Sequence, residues 1–178
     1  MDRDREATRC WLLWVPICLL IAVFHPALSS AGAAAPARIA VFDFELIDSS
    51  LQGEMTGADP ADRARLRLIQ QELQERLVAS GRFELVDTAP VADQVAVAGR
   101  LWSCNGCEMP LARRLNAELA LVGWVQKVSN LILNLNVVIR DVSTGEQVFA
   151  SSVDIRGNTD ESWLHGIRYL LNNRLLKQ

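Results

Sequence analysis

Cys104 and Cys107 stand three residues apart in the stretch WSCNGCEMP at 102–110, and no other cysteine follows residue 18. A CxxC pair at the opening of a helix-like segment suits three chemistries. In a redox dithiol Cys104 would attack, its pKa lowered by the helix dipole, and Cys107 would resolve the mixed disulfide. The usual fold of such a site completes it with a cis-proline from later in the chain, but Pro110 is the last proline here. A metal site of the zinc type needs four ligands, or three plus water. Beyond the first forty residues the chain offers these two cysteines, His165, and carboxylates such as Glu108. The third chemistry is a local disulfide, favoured in an oxidising compartment and modest in effect because its loop is short. Haem attachment is excluded, since Glu108 occupies the position where CxxCH needs histidine.

Other residue types are less suggestive. A Ser–His–Asp hydrolase would have to use His165, which sits among Trp163, Leu164 and Ile167 and lacks a G-x-S-x-G partner motif. Asp43 and Glu45 would share a strand face, with Asp48 beyond, and carboxylates at such a place cap nearby backbone more often than they catalyse. The glycines of SLQGEMTGADP lack the spacing of a phosphate-binding loop. The residues therefore predict no catalytic group, no resident metal and no cofactor. Two polar clusters remain as partner-binding candidates. One is the outer face of a long hairpin, with Asn134, Asn136 and Arg140. The other is the corner RGNTDESW at 156–163, where Arg156, Asp160 and Trp163 would be anchors and Asn158, with Glu161, resembles a capping box.

The elements that must position these groups follow from periodicity. RIAVFDFEL (38–46) reads as a strand, and 47–60 as a loop closed by Asp59-Pro60, an N-cap followed by proline at N1. Leu66, Ile69, Leu73 and Leu77 mark a helix over 61–79, with Gly81 at its C-terminal cap. RFELVD (82–87) is a strand. Val91, Val95, Ala98 and Trp102 share one face of a second helix, and 111–119 forms a third. Residues 119–128 make a strand in which Gly123 marks a bulge or a close backbone approach. The alternation in 131–142 and the turn STGE predict a hairpin with 147–157, and Trp163, Ile167, Leu171 and Leu175 bury one side of a last helix. The order β-α-β-α-α-β-β-β-α implies an α/β fold, a mixed sheet of about five strands with helices packed on it.

The chain begins with a charged stretch whose three acidic and three basic residues cancel. A fifteen-residue apolar run at 10–24 and a small-residue tract at 27–37 follow. That is a secretory signal pattern, cleaved after Ala31, Ala33 or Ala35. The run is shorter than the roughly twenty residues of a spanning helix and is interrupted by Pro16. Residues 1–35 are therefore expected to be a cleaved leader, and 38–178 a single periplasmic domain without a stable membrane span. Its net charge of −3 gives no basic patch for nucleic acid.

Several blocks carry a resemblance. RIAVFDFEL, LQERLVASGRFELVD, LARRLNAELALVGWVQKV and VVIRDVSTGEQV resemble the amino-terminal domain of the TolB propeller proteins and the related domain of curli-secretion lipoproteins. Asn116 stands where those domains carry the glycine of LGA, a substitution compatible with a left-handed cap. The block from Gly123 to Trp163 is similar to a secreted proteobacterial family of unknown function, over nearly all of the chain beyond the leader. The resemblance implies binding or assembly duties with cell-envelope proteins and no established activity. Thiol–disulfide or metal handling by Cys104 and Cys107 is the rival reading.

Overall fold

A computed structural model describes residues 35–177. Residues 1–34 of the expected leader lie outside that range. The elements are β1 (Ala37–Val41), β2 (Glu45–Asp48), α1 (Leu51–Thr56), α2 (Pro60–Ala79), β3 (Phe83–Val86), α3 (Ala92–Ala98), α4 (Glu108–Arg114), β4 (Leu119–Lys127), β5 (Ile132–Asp141), β6 (Gln147–Arg156) and α5 (Asp160–Leu170), which runs on as a π turn over Leu171–Leu175. The sheet order is β3-β1-β4-β5-β6, with β2 also on β4. The β1–β3, β1–β4 and β2–β4 pairs are parallel, whereas β4–β5 and β5–β6 are antiparallel. The expected mixed α/β sheet is present, with six strands where the sequence pattern implies about five. No helix among the described residues is long and apolar enough to cross a membrane.

The extra strand comes from a break in the first one. Val41 pairs with Leu121 and Glu45 with Trp124, so four steps along one strand match three along the other. The additional residue is a bulge, and it changes which side chains face which way. Phe42 enters the core beneath α3 and α4, Phe44 enters the core beneath α2 and α5, and Asp43 is left exposed. A second departure lies in 47–60. Ser50 caps a short helix there by accepting the Gly53 amide at 3.1 Å. The predicted helix start and stops hold, since Asp59 accepts the Ala61 amide at 2.8 Å, Gly81 has φ 67° and Asn116 has φ 53°.

Two cores flank the sheet. The larger joins Ile39, Leu121, Leu135 and Ile139 to Ile69, Leu73, Trp163 and Ile167. The smaller packs Ala40, Phe42, Ala120 and Val122 against Val91, Met109 and Ala112. Glu72 clasps the two helices of the larger layer. It accepts from Arg168 Nε at 2.8 Å and Nη2 at 2.9 Å, and it also bonds Arg76. These guanidinium groups hold its carboxyl at about 2, against an ordinary 4.5. The clasp therefore contributes fully above pH 4.5 and is lost as pH falls towards 2.

Gly123 is a close approach. A Cβ at this position would collide with the edge of the Phe44 ring, which the bulge turns over β4. Gly123→Ala is expected to lower stability by about 1–3 kcal/mol, the usual range for overpacking. A urea midpoint unchanged from wild type would contradict the placement of that ring.

Candidate functional site

The cysteine segment is built from the second core outward. Glu45 accepts the amides of Leu101 at 2.7 Å and Trp102 at 3.3 Å, so its carboxylate anchors the turn that leads into the pair. Burial pushes the Glu45 carboxyl up, and the two amides with Arg100 only partly offset this. Cys104 and Cys107 form a disulfide with Cα atoms 5.6 Å apart. Asn105 (φ 55°) and Gly106 (φ 102°) turn left-handed between them, and that conformation lets so short a loop close. Glu108 follows, 4% exposed, with its carboxylate 3.4 Å from Arg140 Nε.

Among the described residues the only triad of candidate metal donors is Cys104, Cys107 and Glu108. In the disulfide the two sulfurs have no thiolate to donate, and Glu108 already faces Arg140. The bond closes a four-residue loop, for which chain entropy gives about 2 kcal/mol. Cys104→Ser with Cys107→Ser should lower stability by about that amount in chemical denaturation and leave the helical circular dichroism intact. A loss above about 4 kcal/mol would mean that the clip holds more than its own loop.

The segment borders an uncovered part of the sheet. α3 and α4 pack chiefly over β1 and β4, with Val86 of β3 and Val142 at the end of β5 in the same core. Their face of β5 and β6 carries Asn134, Asn136 and Val138, half-buried, beside exposed Ala150, Ser152 and Asp154. Asn134 donates to Asp154 at 3.0 Å and accepts from Ser152 at 2.8 Å. Trp124, also on this face, lies 6.0 Å from Trp102, ring centre to ring centre. Both indoles line a hollow of about 300 Å³ with Glu108 and Arg140. Arg140 thus joins the cysteine loop, whereas Asn134 and Asn136 lie farther out along the same face.

The corner RGNTDESW has a different role. Trp163 is 0% exposed, and its indole N–H donates to Asn158 Oδ1 at 2.8 Å. It is a core residue, with no surface to offer a partner. Thr159 caps α5 by accepting the Ser162 amide at 3.2 Å, in place of the expected Asn158–Glu161 box. Asp160 is exposed and paired with Arg65 at 2.8 Å, and Arg156 is exposed at the end of β6.

Beneath this corner lies a buried charged cluster that the motif reading missed. Lys127, 1% exposed, sits 2.6 Å from Asp62 and 3.4 Å from Asp48. Asp62 also accepts from Asn158 at 2.7 Å and Arg65 at 2.8 Å. Burial alone would push the Asp62 carboxyl up, but hydrogen bonds from Lys127 and Asn158, Lys127's charge and Arg65 hold it below 3.8. Burial likewise opposes the charge of Lys127, yet Asp62 and Asp48 raise it above 10.5. Asp48 accepts the Ser50 amide at 3.0 Å, so the cluster ties the ends of β2, α1, α2, β4 and α5 together. With every cation facing a carboxylate, it is a structural lock. Periodicity did hold a signal, because Lys127 alternates with Leu121 and Val125, and Asp62 stands four residues before Leu66.

Comparison with curated proteins finds no match. Among solved structures, the C-terminal domain of LpoB from Salmonella enterica is 18% identical, with a TM-score of 0.50 over 71% of this chain and 87% of that one. Lipoprotein GNA1162 from Neisseria meningitidis is 14% identical (TM-score 0.49, covering 79% and 99%). TolB from Acinetobacter baumannii is 11% identical (TM-score 0.42, covering 77% and 28%). The LpoB likeness shows a shared fold. Residues 37–175 match the family described as "Protein of unknown function (DUF2380)", and the chain belongs to that family.

Proposed function

We propose that the chain is an exported, non-enzymatic binding module of the cell envelope. It engages a protein partner with the uncovered face of β4, β5 and β6 beside the disulfide loop. The observation that carries this reading is the asymmetry of the sheet. One face is covered by α2 and α5, while the other is bare across the hairpin and bordered by Trp102, Trp124 and Arg140. Tryptophan and arginine at the rim of an open face are the residue types that dominate protein interfaces. The leader pattern in residues 1–35 and the resemblance to periplasmic domains support the compartment.

The test is a photo-crosslinking amino acid placed in living cells at Asn136 or Ser152, and separately at exposed Arg67 on α2. A discrete protein adduct from the hairpin positions, absent from position 67, is expected. Equal labelling from all three would overturn the assignment of the face. The alternative, thiol–disulfide or metal handling by Cys104 and Cys107, predicts a different pattern. Cys104→Ser with Cys107→Ser would abolish the phenotype at unchanged stability, and the pair's potential would lie well above the roughly −300 mV bound of structural disulfides.

A further inference from the structure

β6 is the edge of the sheet, and nothing among the described residues pairs with its outer side over ten residues. Such an edge presents a row of backbone donors and acceptors that can accept another strand, and proteins ordinarily blunt it with lysine, proline or a covering segment. QVFASSVDIR contains no lysine or proline, and its only charged residues are Asp154 and Arg156. Val148 on this strand is 52% exposed, as is 42% of Tyr169 on α5.

α5 runs back along β6 and gives the edge two different ends. Gly166 packs so closely on Ile155 that a Cβ would come within 2.9 Å of it, and Glu161 stands near that end. At the other end Arg174 and Lys177 line a hollow with Phe149 and Ser151. Tyr169 lies between the two along the helix. Among the described residues, Glu161, Arg174 and Lys177 are in no ion pair. The first end also carries Asp154 and Arg156, and its Arg168 is held by Glu72, so Glu161 is the carboxylate left to meet Arg174 and Lys177 when the edge is turned through two-fold symmetry.

We propose that β6 pairs antiparallel with β6 of a second copy about a two-fold axis near Ser152, making one continuous sheet through the dimer. In this register Asp154 faces Ala150 and Arg156 comes beside the bulge at Val148, so no like charges meet across the strands. Both α5 helices lie on one side of the sheet, and the two Tyr169 side chains approach the axis. Glu161 of each copy comes beside Arg174 and Lys177 of the other. The uncovered face of the hairpin stays free, so this inference stands apart from the partner reading above.

Sedimentation equilibrium on protein produced from the full-length chain tests it. Wild type is expected at twice the monomer mass at micromolar concentration. Glu161→Lys alone, or Arg174→Glu with Lys177→Glu, should each weaken dimerisation about tenfold or more, the size of a 1.4 kcal/mol loss. The triple charge swap should restore it, which a merely unfolded variant could not do. A monomeric wild type at 100-fold higher concentration overturns the proposal. So does a dimer indifferent to the single-sided variants, or a triple variant no tighter than they are.

Discussion

Lys127→Met is expected to be among the most damaging single substitutions in this chain. The methionine fills a similar volume, so the effect isolates the charge. Its removal leaves Asp62, 0% exposed, facing an apolar group where the ammonium stood at 2.6 Å. Breaking a buried pair from one side costs about 3–5 kcal/mol, and here Asp62 keeps only Arg65 and Asn158 on its other oxygen while Asp48 loses its cation. For a domain of this size that is a fall in Tm of roughly 10 °C or more. Adding Asp62→Leu should recover part of the loss, since it replaces the nearer carboxylate by an apolar group and leaves only Asp48 without its cation. A Lys127→Met variant within 1 kcal/mol of wild type would show that the cluster is solvated in solution.

The pH dependence of the same variant is fixed by the two shifts. Asp62 is held below its ordinary 3.8, so its contribution is complete above that value and is lost as pH falls through the lowered pKa. Lys127 is raised above 10.5, so its contribution is complete below that value and is lost only as pH rises through the raised pKa. The lock is therefore fully present from about pH 4 to pH 10. The gap between wild type and Lys127→Met should be flat across neutrality and narrow in acid. Denaturation series at pH 3 and pH 7 measure this directly.

The lock leaves no local motif in the sequence. Lysine and aspartate are almost never buried unless paired, so each is read alone as a solvent-facing residue. The pairing spans sixty-five residues of sequence, and only the β2–β4 register and the start of α2 bring the partners together. The bulge was hidden for a related reason. FDFEL alternates as a regular strand should, a pattern that would put Phe42, Phe44 and Leu46 on one face. The three-for-four mismatch with β4 sends Phe42 to the opposite core from the other two. Local patterns were legible where local chemistry decides. The Asp59-Pro60 start, the hairpin around STGE and the left-handed Asn116 are all present. The bare hairpin face was legible too, through the alternation of 131–142. The Trp102–Trp124 contact at its margin was not, since it depends on how the cysteine loop folds back onto β4.

Trp163 is where two readings of one residue part most sharply. Its spacing with Ile167, Leu171 and Leu175 places it inside, while its position in a polar corner makes it look like an anchor for a partner. An anchor would give a variant that folds normally and fails to bind. A core residue gives the reverse, and the 0% exposure of Trp163 decides for the core. Trp163→Ala is expected to cost about 3–5 kcal/mol through lost burial and the cavity left between α5 and the sheet. Asn158 adds to this, because its Oδ1 loses the indole donor while its Nδ2 still bonds Asp62. The damage therefore reaches the Lys127 lock, so Trp163→Ala and Lys127→Met combined should cost less than their sum. Trp163→Phe, which keeps most of the volume and removes only the N–H, should lose roughly 1–2 kcal/mol. Urea midpoints for the three single variants and the double variant test the arrangement, and strict additivity in the double variant would show that Asn158 does not couple the two sites.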